Sequence, residues 1–129
     1  MKIKLETSEQ NLISHYGPGS ISINGTAYSQ NILITANEVF EGWFSGDLES
    51  LTAEHFEPLL SDSLKGERPE IILLGTGSDH RFPNMSLLAE LAKKNLAVEV
   101  MNTRAACRTY SVLIGEHRPV AAALLQFDH

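Results

Sequence analysis

Side chains and backbone able to do chemistry gather in two short stretches, GTGSDHRFP at 75–83 and NTRAACR at 102–108. Gly75, Thr76 and Gly77 follow the apolar run Ile71 to Leu74, the outline of a buried strand that feeds a glycine loop. Such loops, set against the N-terminus of a helix, bind anions through backbone N–H groups. The second stretch reads as the start of a helix. Arg104 and Arg108 lie four apart, on one helical face, with Cys107 beside them. If both stretches leave the same edge of a parallel sheet, His80, Arg81, Asn102, Thr103, Arg104 and Arg108 line one locally positive crevice with the glycine loop. Its ligand would be a small anion. Cys107 is the one nucleophile on offer, and two arginines with a helix N-terminus would lower its pKa.

Known motifs narrow this. A P-loop requires GxxxxGK[ST], yet His80 stands five residues after Gly75 and no lysine follows. A dinucleotide fingerprint requires a third glycine where His80 stands. Each residue also has a plain structural reading. The glycines let a chain turn and pack closely. Arg104 and Arg108 pair with surface carboxylates, Cys107 is a small buried hydrophobe, and His80 is a solvated loop residue. No histidine stands in register to serve Cys107 as a base.

The elements that must position these residues follow from patterning. Residues 12–44 carry strand signals: the hairpin pair Asn24-Gly25 inside SISINGTAYS, then NILIT (31–35) and EVFEGWFS (38–45). Thr52 to Gly66 reads as a short or bent helix, capped by Thr52, interrupted at Pro58 and stopped by Gly66. The continuous apolar run within 70–74 (Ile71 to Leu74) predicts a strand there buried on both faces. A helix follows from Pro83 and Asn84 to Lys94 and Asn95, with Leu87, Leu88 and Leu91 on one face. Next come a strand at 96–101, a helix from an N-cap at Thr103 to a stop at Gly115, and a strand within 118–127 of either direction. Crossover handedness makes 70–74 and 96–101 parallel. The fold class is α/β: one domain, 1–129, with a mixed sheet, helices packed on it and a hairpin-rich N-terminal region. Among the aromatics, Phe40, Trp43 and Phe44 stand out. Neighbours in a regular strand face opposite sides, so one of Trp43 and Phe44 must pack beyond the main core, against a helix, a sheet layer or a partner chain.

Size and charge limit the function classes. At 129 residues the chain suits one domain with its own core. Ten Lys and Arg against 16 Asp and Glu give a formal charge of −6, which repels nucleic acid and anionic lipid at long range. One cysteine permits no intrachain disulfide and suits a reducing compartment. MKIKLETSEQNL has no apolar core of a signal peptide, and no run approaches the roughly 18 apolar residues of a membrane helix. These features place the protein in the cytoplasm without membrane insertion. The five histidines show no metal-ligand spacing, and nothing calls for a cofactor.

GTG…FP, GPGSISINGTAYSQNILIT and VEVMNTRAACRTYSVLIGEHRPVAAAL (98–124) resemble a small domain-of-unknown-function family. It includes bacterial proteins without assigned activity and is similar to the adipogenesis-associated (Mth-type) domain protein and to mitochondrial NADH dehydrogenase (complex I) assembly factor 3. The resemblance runs from Leu12 to Phe127. Asn102, Ser111 and His117 stand where the family has Asp, Asn and Gly. It implies a three-layer β+α/β/α fold, no established catalytic residue, and action through protein contacts during complex assembly. The leading expectation is therefore a non-catalytic interaction or assembly module with an unidentified protein partner, self-association left open. Its rival is an anion-binding protein or enzyme using the crevice between 75–83 and 103–114.

Overall fold

A computed structural model describes residues 10–129. The reading of the N-terminus as lacking a signal peptide rests largely on residues 1–9, outside that range.

Three strands, β1 (Ile13–Gly17), β2 (Ser20–Ile23) and β3 (Thr26–Tyr28), form an antiparallel sheet. Ile23 pairs with Thr26, so Asn24-Gly25 is a two-residue turn, both residues at positive φ (53° and 88°). That geometry matches the twist of the flanking strands and selects these residue types. The second sheet has five strands: β4 (Ile32–Ile34), β5 (Val39–Glu41), β6 (Ile71–Gly75), β7 (Ala97–Met101) and β8 (Val120–Leu124), in the order β5-β4-β8-β6-β7. Strand β6 runs parallel to both β7 and β8, while β4 runs antiparallel to β8 and β5. The sheet is therefore mixed, with the last strand parallel to β6. Helix α1 (Met85–Lys93) connects β6 to β7, and α2 (Thr103–Gly115) connects β7 to β8.

The two-residue period of the strands divides the core in two. Leu33, Ile72, Leu74, Ala121 and Ala123 face Leu87 and Leu91 of α1, together with Phe44, Leu48, Phe56 and Leu59. Ile32, Ile34, Leu73, Ala122 and Leu124 face Ala106, Cys107, Tyr110 and Ile114 of α2, and Ile21 and Ile23 of the small sheet close that side. The result is the three-layer β+α/β/α arrangement. Full burial of a side chain such as Phe56 or Leu59 is worth about 1.5–3 kcal/mol. Ala122 keeps that face of β8 low, and α2 packs directly on it. Tyr110 ties the layers together by donating its hydroxyl to the carbonyl of Asn11 at 2.8 Å.

Three local expectations are corrected and one is met. Residues 52–66 form a 3₁₀ helix over Ala53–Leu60, not one reaching Gly66; the chain is extended at Ser61. Pro58 supplies no N–H for an α ladder, which suits the tighter winding. Strand β5 stops at Glu41, because Gly42 turns the chain at φ 67°. Helix α2 ends at Gly115 as expected, and His117 (φ 60°) makes the left-handed turn after it. Asn102, rather than Thr103, caps α2, its side chain accepting from Ala105 N–H at 2.8 Å.

Candidate functional site

The exits of β6 and β7 do surface side by side, and α2 begins there. Thr76 N–H donates to Met101 carbonyl at 2.9 Å, and Thr103 N–H to Gly77 carbonyl at 2.9 Å. The gap between them is filled by the protein itself. Thr103 is fully buried; its hydroxyl donates to Leu125 carbonyl at 2.7 Å and accepts from Gly77 N–H at 2.8 Å. A Cβ on Gly75 would stand 2.9 Å from Thr103 Cα and 3.2 Å from Ala106 Cβ. The glycine loop is a packing device: Gly75 lets α2 sit against the sheet, and Gly77 turns the chain at φ 98°. The backbone donor a phosphate would have used is already bonded to Thr103.

The ten residues nominated for the crevice are accordingly dispersed. Gly75 and Thr103 are interior, and Thr76 uses its hydroxyl within the loop, donating to Asp79 carbonyl at 2.6 Å and accepting from Arg81 N–H at 3.1 Å. Asn102 is committed to the cap. Cys107 is fully buried, and burial pushes its thiol up to about 12, the nearby Arg108 opposing only in part. A thiol so placed stays protonated and unreactive at neutral pH. Arg104 lies over the Phe127 ring, 4.5 Å from its centroid, and Arg108 is exposed. Arg81 pairs with Glu49 at 2.7 Å. His80 stacks on Phe82, ring centroids 4.8 Å apart. No shared positive crevice results.

A cleft of about 530 Å³ does open on the other flank of the glycine loop, between Thr76–Asp79 and Gly46–Leu48, with residues 125–129 along its floor. Asp47, Asp79 and Asp128 line it together with Arg81 and His129, and of the nominated residues it gathers only Thr76, Gly77 and Arg81, so carboxylates outnumber guanidinium groups there. The hydrogen bond from His129 holds the Asp128 carboxyl below the usual carboxylate range. Gln126 braces this floor, its Nε2 donating to the carbonyls of Tyr28 and Gln30, both at 2.9 Å. Among the described residues no cluster of His, Cys, Asp or Glu could hold a metal ion.

The aromatic trio folds inward together. Past the Gly42 turn, Trp43 and Phe44 leave the strand, so the expectation of opposite faces does not apply. Phe44 is buried, and Phe40 and Trp43 pack on the same α1-side core. Trp43 sits 5.6 Å from Phe44 and 5.7 Å from Phe56 between ring centroids, and its indole N–H donates to His55 carbonyl at 2.7 Å. Sequence reading missed the large apolar side chains left outside: Phe82 is 71% exposed and Met85 72%. Their signal was available. They flank Pro83-Asn84, outside the stripe of Leu87 and Leu91.

The fold is that of the Mth938-like domains. A Bordetella parapertussis protein of known crystal structure superposes with a TM-score of 0.78 at 30% identity, covering 91% of this chain and 96% of its own. The solution structure of a Bordetella pertussis protein described as a Mth938-like domain gives 0.76 at 28% identity, over 92% and 87%. The chain belongs to the family of proteins of unknown function DUF498/DUF598, whose model matches residues 13–125. Similar proteins include NADH dehydrogenase [ubiquinone] 1 alpha subcomplex assembly factor 3 of Danio rerio, 30% identical over 93% of this chain and 67% of that one. The "13 kDa major membrane protein" of Francisella tularensis is 29% identical over 85% of this chain and 86% of its own. Among the described residues no helix is long and apolar enough to cross a membrane.

Proposed function

We propose that this protein is a non-catalytic contact module that assists assembly of a larger complex. The observation that carries the reading is the exposed pair Phe82 and Met85, three residues apart at the entrance to α1. Rings and thioethers of this kind are enriched where proteins meet. The assembly factors among the relatives support the same direction. The site of action is the cytoplasm, where a reducing environment suits the free thiol of Cys107. The membrane-protein name of the Francisella relative makes cell fractionation its direct check.

The test is affinity capture with crosslinking, comparing the native chain with Phe82→Ser/Met85→Ser. Both side chains are solvent-exposed, so folding should be preserved while partner yield falls about tenfold or more. Equal yield from the double variant, or no stable partner for the native chain, overturns the reading.

A further inference from the structure

Strand β7 forms one edge of the five-stranded sheet, and among the described residues no strand pairs with its outer side. Which peptide groups it leaves free follows from its bonds to β6. Ala97 N–H donates to Glu70 carbonyl, and Met101 carbonyl accepts from Thr76 N–H. Alternate residues direct N–H and C=O to the same side of a strand. Ala97, Glu99 and Met101 therefore bond inward, and Val98 and Val100 present their N–H and C=O groups outward. An edge of this kind is a template for one more strand.

The side chains specify what that strand carries. Val98 and Val100 are half-buried and pack on the α1-side core. Residues opposite them extend that cluster when apolar. Glu99 is exposed between them on the other face, and among the described residues it makes no ion pair. At the foot of the strand a hollow of about 410 Å³ is lined by Glu70, Ala92, Asn95, Leu96 and Ala97. Its one charged residue is a second exposed carboxylate. A second copy of this chain offers Glu99 no cation: antiparallel pairing of β7 about a two-fold axis centred at Glu99 places two carboxylates directly opposite, a destabilising arrangement, and registers centred at Val98 or Val100 set Glu99 against Ala97 or Met101.

We infer that the outer edge of β7 accepts an extended segment of another protein, of the pattern apolar-basic-apolar, its Lys or Arg opposite Glu99 and its backbone bonded to Val98 and Val100. This deepens the assembly reading by naming a docking edge and the chemistry of its partner, and it rests on that reading. Main-chain bonds supply affinity and the alternating side chains supply choice, as in other strand-addition complexes.

The probes are two synthetic peptides, acetyl-Ser-Thr-Val-Lys-Val-Thr-Ser-amide and the same peptide with Glu for Lys, titrated into the full chain and followed by amide NMR. The lysine peptide should shift and protect the Val98 and Val100 amides and bind about fivefold more tightly than the glutamate peptide. Glu99→Lys should reverse that order. Val100→Pro removes an outward N–H while leaving the inward ladder, and should abolish binding of both; should it fail to fold, the Glu99→Lys reversal decides alone. Equal binding of the two peptides, no binding, or Val98 and Val100 amides already protected in the dilute free chain overturns the inference. Capture of a cellular partner that survives Glu99→Lys but is lost in Phe82→Ser/Met85→Ser would remove the β7 edge and leave the assembly reading standing.

Discussion

The seam at Gly75–Thr103 and the outer edge of β7 adjoin one another, and they differ in how their polar groups are satisfied. At the seam the Gly77 N–H and both bonds of the Thr103 hydroxyl are made within the chain, and the gap is too narrow for one additional methyl group. On the outer side of β7 the peptide groups of Val98 and Val100 face away from the sheet. A glycine-rich loop at the end of a parallel strand has the look of a ligand site, yet here it closes the fold. A plain strand, AVEVM, has no strand on its outer side among the described residues. Binding capacity follows from groups without partners, not from the motif that resembles a site.

The largest effect expected is at the seam. Gly75→Val drives side-chain atoms into Thr103 backbone and Ala106, and should cost about 3 kcal/mol or more, read by urea unfolding. Loss below 1 kcal/mol would mean that the seam can open. Thr103→Val keeps the shape and removes the hydroxyl, leaving Gly77 N–H and Leu125 carbonyl without it; about 2 kcal/mol should be lost in the same assay. Cys107 should resist alkylation at pH 8 in the folded chain and react readily in denaturant. Burial raises the thiols and phenols of Cys107 and Tyr110 alike. For Cys107 the folded chain holds its proton more tightly than the open chain. That contribution is complete below its ordinary value of 9.0 and is lost as pH rises toward about 12. Stability that stayed flat from pH 8 to 11 would contradict this placement. Smallest is Arg104→Ala, which removes a cation over the Phe127 ring and should cost about 0.5–1 kcal/mol.

The elements were largely legible because their signals are local. Asn24-Gly25 specifies its turn, the run of 71–74 its burial on both faces, and Asn84 the start of α1. Crossover handedness then gave the parallel β6–β7 pair. What escaped depends on tertiary contact. Nothing in GTG says whether a loop cradles a phosphate or a threonine hydroxyl; that depends on Thr103, 26 residues on, whose hydroxyl Gly77 meets. Arg104 was read by its helical face, but Phe127, close to the end of the chain, is what it covers. The inward turn of Trp43 and Phe44 depended on one glycine leaving the strand early. Phe82 and Met85 were readable in principle, as apolar residues lying outside the stripe of the helix they introduce.

The most direct measurement is native-state hydrogen exchange at two amides, Gly77 and Val100, in the dilute free chain. The Gly77 N–H, buried against Thr103, should exchange only through large-scale opening, while Val100 should exchange orders of magnitude faster as a solvent-facing edge amide. A freely exchanging Gly77, or a Val100 protected as strongly as Gly77, would contradict the account of a closed seam beside an open edge.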